Sequence, residues 1–295
     1  MTLSLLKSLA PFAPLTTAEA AVFEAHIEQR AFASGEQVWV DESLLVVKEG
    51  FVALSVTGST ASHSFAVVGA GDLLGELTLF EPAPIALDAK AQTNVQCLVM
   101  DLKALKRCFQ YSRTGAARFL MVCARSLSKK LRSADESLNQ SHNGSTTAPQ
   151  ASPLAALDRE RLKGLAVSRQ FANGDVIFGE GTPGSELFVI TSGEVEIVRG
   201  PAGASVSVAR LGPGDFFGEM AFVDRAPRSA TAMARSAVDV NVVPADVLER
   251  VVEFNVGTAL HLSTIICKIL ARRLNATLKR TVISAHGINQ KNSSK

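Results

Sequence analysis

The stretch Gly214-Asp-Phe-Phe-Gly-Glu-Met-Ala-Phe-Val-Asp-Arg-Ala-Pro-Arg-Ser-Ala-Thr-Ala232 has an earlier counterpart that begins Gly71-Asp-Leu-Leu-Gly-Glu-Leu77. Just upstream, Leu187-Phe-Val-Ile-Thr-Ser-Gly193 repeats the pattern of Leu44-Leu-Val-Val-Lys-Glu-Gly50. Gly50 and Gly193 lie 143 residues apart, and so do Gly75 and Gly218. The same offset relates Leu127, Lys129, Lys130 and Leu131 to Leu270, Arg272, Arg273 and Leu274. A spacing held from Gly50 to Leu131 without net gaps argues duplication of one domain. A period this long means two globular copies rather than a solenoid.

Each copy has the same order of elements. A short helical region comes first, at Thr17–Ile27 and Pro153–Leu165. Short apolar runs punctuated by Gly, Asn, Asp and Pro follow. In the first copy they are Gln37–Val40, Leu44–Val47, Val52–Val56, Phe65–Val68 and Val95–Met100. In the second they are Val176–Phe178, Leu187–Ile190, Val195–Val198, Val206–Leu211 and Val238–Val243. Closely spaced short strands with turn residues between them predict an antiparallel sandwich or barrel. A long helix closes each copy; in the second, Leu262, Ile266, Leu270, Leu274 and Leu278 form an apolar stripe along one face. The expected fold is therefore mainly β with flanking helices: two tandem antiparallel β-rolls of jelly-roll type, each closed by a long C-terminal helix. The expected domains are 1–135 and 154–295, with 136–153 as a Ser-, Thr- and Asn-rich linker whose first residues can continue a helix.

Composition narrows the function. The chain has 295 residues, which suits two domains. With 30 Lys+Arg against 28 Asp+Glu, the net charge of +2 gives no electrostatic case for wrapping nucleic acid or coating an anionic membrane. At 47% hydrophobic residues the chain can build cores, and no run of 18 apolar residues predicts a membrane span. Lys7 interrupts the apolar start, so no secretory signal is expected. Four cysteines without a CxxC spacing read as reduced, buried thiols in a cytoplasmic protein. The five histidines form no HxH or HxxxH cluster, and GxSxG, GxxxxGK and HExxH are absent. Neither a cofactor, a metal nor catalysis is therefore expected.

The chemistry-bearing segment is 214–232. Gly212, Gly214 and Gly218 permit a tight turn and close approach of backbone to a ligand. Residues Glu219–Phe222 can form one helical turn whose amides favour an anion. Arg228, nine residues beyond Glu219 and fixed by Pro227, offers a planar fork of two charge-assisted bonds to a phosphate. Glu219 would repel phosphate, so a donating sugar hydroxyl is its natural partner. The bland alternative is that Glu219 and Arg228 pair with each other or with a neighbour.

This segment resembles the phosphate-binding cassette of the cyclic nucleotide-binding domain family. That family includes the catabolite activator protein and the regulatory subunits of cyclic-AMP-dependent protein kinase. The run from Glu180 to Gly193 resembles the family's strand–loop–strand. The resemblance implies that Gly218 and Glu219 contact the ribose 2′-hydroxyl, that Arg228 grips the cyclic phosphate and that Ser229 adds a phosphate hydrogen bond. Phe217 and Met220, which flank the Gly-Glu pair, are counted with the ligand-binding residues. The helix Leu270–Lys279 resembles the central helix of the bacterial activators and implies an adenine contact from Thr277, with a polar helix-edge residue as the plain alternative.

In the first copy the offset places Ile85 at the arginine, Ala86 at Ser229 and Ala134 at Thr277, while Glu76 survives. The eight-residue loop 179–186 has shrunk to Asp41-Glu-Ser43. The first copy is thus expected not to bind a cyclic nucleotide in the family's usual way. Only 15 residues follow Arg280, too few for a helix-turn-helix module, so direct DNA binding is not expected. The expected function is a cytoplasmic sensor. Its second domain binds cyclic AMP, with cyclic GMP as the less favoured ligand. It signals to an unidentified effector protein through rearrangement of the long helix, whose Leu stripe could also pair in a homodimer. The alternative is an interaction scaffold that binds no cyclic mononucleotide, or one that binds a different nucleotide second messenger.

Overall fold

The structure is a computed structural model and describes residues 4–57, 62–82, 84–141, 164–201 and 205–292. The chain divides into two compact units: residues 1–141 with 260–295, and residues 142–259.

In the first unit, helix α1 (Thr17–Glu24) starts at a capping box, in which Thr16 Oγ1 accepts from the Glu19 amide and the Glu19 carboxylate accepts from the Thr16 amide. Glu19 also holds Arg118 at 2.7 Å. One antiparallel sheet follows, in spatial order β1 (Glu28–Phe32), β7 (Val95–Asp101), β2 (Ser43–Glu49), β5 (Leu73–Leu74). A second has the order β4 (Ser62–Val68), β3 (Val52–Thr57), β6 (Leu87–Ala91). The one-turn helix α2 (Leu77–Phe80) follows β5, and Asp101 caps helix α3 (Leu102–Tyr111) by accepting from the amides of Lys103 and Ala104. Helix α4 (Arg113–Ser141) extends nine residues past Arg132. This is the helical continuation expected for the start of the linker; the rest of that linker, and most of the expected helix 153–165, lie outside the described residues.

The second unit repeats this order. One sheet runs β8 (Val167–Phe171), β15 (Val238–Val243), β10 (Leu187–Ser192), β13 (Phe216–Phe217). The other runs β12 (Val206–Leu211), β11 (Val195–Arg199), β14 (Thr231–Ala234), β9 (Val176–Phe178). The duplication extends to irregularities. Register shifts follow Val47 and Leu54 in the first unit, and Ile190 and Ile197 in the second, again 143 residues on. Inward-facing Val195, Ala209, Leu211, Ala232, Val238 and Val240 are buried between the sheets. Helices α5 (Glu219–Asp224) and α6 (Asp246–Phe254) complete the unit.

Two expectations need correction. The run Gln37–Val40 is not a strand. It holds only an isolated bridge from Gln37 to Lys90 and a bond from the Val38 amide to Ala89 O. Two residues, Asp41 and Glu42, separate it from β2, and Glu42 turns in the left-handed region (φ 49°). The second concerns the last helix, α7 (Val256–Asn292), which the sequence places in the second domain. From Leu260 onward it belongs to the first unit. Its stripe Leu262, Ile266, Leu270, Leu274, Leu278 is buried there, and Cys267 Sγ donates to Leu120 O at 3.1 Å. The stripe is core rather than an open face for a second subunit, because apolar surface gains most where it leaves water.

Candidate functional site

In the second unit the chain leaves β13 at Gly218, whose φ of +82° ends the strand and starts α5. Arg225 closes that helix in the left-handed conformation (φ 58°), sending Ala226-Pro227-Arg228 back across the sheet. The loop after β9 then fixes Arg228 by its backbone. The Arg228 amide donates to Thr182 O (2.9 Å), and the Gly181 amide donates to Arg228 O (2.8 Å). The loop that the first copy lacks is therefore the clamp on this arginine.

The guanidinium is buried, with 2% of the side chain exposed. Nη1 donates to Glu186 O (2.9 Å) and Gly218 O (3.2 Å), and Nη2 donates to Glu186 Oε2 (2.7 Å). Nε has no hydrogen-bond partner among the described residues. The charge lies 4.3 Å from the Phe178 ring centroid and 5.5 Å from that of Phe188, a cation–π arrangement. Phe188 in turn stacks on Phe217 at 5.0 Å. Two glycines make room. A Cβ on Gly184 would fall 2.6 Å from Arg228 Nε, and one on Gly218 would fall 2.7 Å from Nη1.

Burial lowers the Arg228 pKa, and the charges of Glu186 and Glu219 oppose that effect. For Glu186, burial alone would raise the carboxyl. Hydrogen bonds from the Glu186 and Ser185 amides, together with the Arg228 charge, more than offset it, and the pKa is lowered. The site thus holds a buried guanidinium with one carboxylate in direct contact.

The structure brings Phe217, Gly218, Glu219, Met220, Arg228 and Ser229 together. Phe217, Glu219, Met220 and Arg228 are buried, and the half-buried Ser229 places its Oγ 3.4 Å from Met220 Sδ. Arg228 does pair with a neighbour, but that neighbour is Glu186. Thr277 lies in the first unit, 4% exposed, with its hydroxyl 3.3 Å from Asp135 Oδ1. Sequence reasoning missed Glu186, Gly184, Phe178 and Phe188. The available signal was the loop length, because the copy that keeps the arginine also keeps the long loop ending in Glu186.

The equivalent region of the first unit is built differently. Ile85 and Ala86 replace the arginine and serine. Glu76 is 1% exposed and accepts from Ser126 Oγ (3.0 Å) and from Lys130 Nζ. Lys130 also donates to Leu73 O (2.6 Å). The carboxylate is held inside the protein by a lysine of α4. All four cysteines are free and buried, and burial pushes the Cys97 thiol up to about 12. Among the described residues no helix is long and apolar enough to cross a membrane, and no group of three His, Cys, Asp or Glu is placed to hold a metal.

The chain is similar in sequence to known proteins. The family described as cyclic nucleotide-binding domain matches at residues 30–112 and again at 168–255. A cAMP-dependent protein kinase regulatory subunit from Mycosarcoma maydis is 35% identical over 29% of this chain and 16% of its own length. A type II regulatory subunit from Drosophila melanogaster is 27% identical over 56% of this chain and 38% of its own. The chain therefore spans well under half of these curated relatives. Among solved structures, the regulatory domain of Toxoplasma gondii PKA with cAMP is 18% identical, with 88% of this chain and 92% of that chain covered at a TM-score of 0.32. With one match in each unit, which together take in more than half of its residues, the chain belongs to the cyclic nucleotide-binding domain family and carries that domain twice.

Proposed function

We propose that the second unit is the input of a regulatory protein and binds a cyclic mononucleotide, cyclic AMP ahead of cyclic GMP. The observation that carries this reading is the buried Arg228 fork, clamped by its own loop, beside Gly218 and Glu219, with Nε lacking a partner among the described residues. The cyclic phosphate takes the place of the Glu186 carboxylate on Nη2. Glu219 accepts from the ribose 2′-hydroxyl, and the Ser229 hydroxyl turns from Met220 to the phosphate. The preference for cyclic AMP is supported by the names of the curated relatives. We place the protein in the cytoplasm and assign it a binding role without catalysis, with an effector protein as its output. The free, buried thiols suit a reducing compartment.

Calorimetric titration with cyclic AMP and cyclic GMP tests the reading. The parent should bind one site per chain, and Arg228→Ala and Glu219→Ala should each weaken it. Binding unchanged in the Arg228 variant would refute the assignment. The competing reading is a scaffold without ligand, favoured by the contact between Glu186 and Arg228. It predicts no heat with either nucleotide. A pull-down with and without ligand then identifies the output partner.

A further inference from the structure

The first unit contains a cavity of about 410 Å³ at the position that corresponds to the second unit's cassette. Its walls include Trp39, Leu54, Leu74, Ile85, Leu87 and Leu274. A volume in this range accommodates a small organic molecule rather than a few waters.

The charges around it exclude an anion. Two carboxylates, Glu76 and Asp88, line the cavity, against a single cation, Lys130. Lys130 is fully engaged: its ammonium is buried and donates to Glu76 and to Leu73 O. The Ile85 amide, at the position that the offset of 143 matches to Arg228, is spent on Asn275 Oδ1 at 2.8 Å. An anion entering here would lose its hydration and meet the Asp88 carboxylate, while the mutually paired Glu76 and Lys130 offer no unpaired cation in return. Asp88 is tied to the Thr57 hydroxyl. Ser126 and Lys130 both donate to Oε1 of Glu76, which leaves Oε2 as the acceptor for a ligand.

We propose that this cavity is a binding site for an uncharged ligand with a flat apolar body and a hydroxyl or amine donor. The body packs against Trp39 and Leu274, and the donor meets Glu76. Leu274 lies on α7, so such a ligand would also touch the helix that continues from the second copy.

The chain has one tryptophan, so 5-fluorotryptophan labelling gives a single ¹⁹F resonance at the cavity wall. Two probes share one ring system: 2-naphthalenemethanol, which is neutral, and its phosphate monoester. The alcohol should shift the Trp39 resonance saturably, with at least a tenfold preference over the ester. In Ile85→Arg that preference should narrow or reverse. Absence of a saturable shift with the alcohol, or equal binding of the ester by the parent chain, overturns the proposal whatever the variant does.

Discussion

The two copies share strand order, register shifts and a buried glutamate at matched positions, yet their sites are opposite in electrostatic design. In the second, the buried cation is Arg228 and its partner Glu186 is over a third exposed, the pair at which we propose that a ligand competes. In the first, the buried anion is Glu76, its partner Lys130 is almost fully buried, and nothing dissolved in water can replace that contact cheaply. Duplication preserved the scaffold. The pairs occupy different positions of that scaffold: Glu76 and Lys130 correspond to Glu219 and Arg273, while Arg228 corresponds to Ile85 and the loop that ends in Glu186 is shortened in the first copy. A carboxylate conserved between two copies therefore need not keep its role, because the role is set by which cation faces it.

The largest effect that would break this comparison is expected at the permanent pair. Lys130→Met should destabilise the first unit by about 3–5 kcal/mol, the cost of leaving a buried charge without its partner. The double variant with Glu76→Gln should recover most of that loss. Urea unfolding followed by Trp39 fluorescence reads the first unit alone, since no other tryptophan contributes.

At the exchangeable pair, Arg228→Ala should reduce cyclic nucleotide affinity by about 1.5–3 kcal/mol, roughly ten- to a hundredfold, as expected for charged hydrogen bonds. Arg228→Lys should recover little, since a single ammonium cannot reproduce the planar fork. Gly184→Ala should cost about 1–3 kcal/mol of second-unit stability, the usual penalty of overpacking, and weaken the ligand by moving Nε. Equilibrium unfolding and calorimetry on the same variant separate the two effects.

The smallest effect sharpens the comparison. Glu186→Gln should raise affinity severalfold, since the competing carboxylate is weakened. The pH dependence follows from the lowered Glu186 pKa. The pair's contribution to stability is present above the ordinary carboxylate value of 4.5 and is lost as pH falls through the lower folded value. Ligand affinity should therefore rise only as pH falls through that lowered folded value, and Glu186→Gln should flatten that rise. An unaltered pH profile in the variant would show that Glu186 does not compete.

The strands legible in the sequence were those whose residues are buried on both faces or alternate cleanly, such as Leu44–Val47 and Val238–Val243. Those missed, Glu28–Phe32 and Val167–Phe171, are edge strands with mostly exposed side chains, so apolar periodicity carries no trace of them. Leu87–Ala91 and Thr231–Ala234 escaped because short, mixed segments resemble the loops around them. In the site, Gly218, Glu219 and Arg228 were legible because their spacing is local. Glu186 was not, since it meets Arg228 across 42 residues of chain.

The sequence by itself determined the duplication, the β-roll of each copy and the loss of the arginine from the first, because these depend on spacing and side-chain type along the chain. Only the tertiary structure decided which carboxylate faces Arg228, that Lys130 occupies Glu76, and that the helix from Leu260 belongs to the first unit and carries Thr277 with it. Those outcomes depend on which apolar faces and charges meet when distant segments leave water together, and no local pattern encodes that choice.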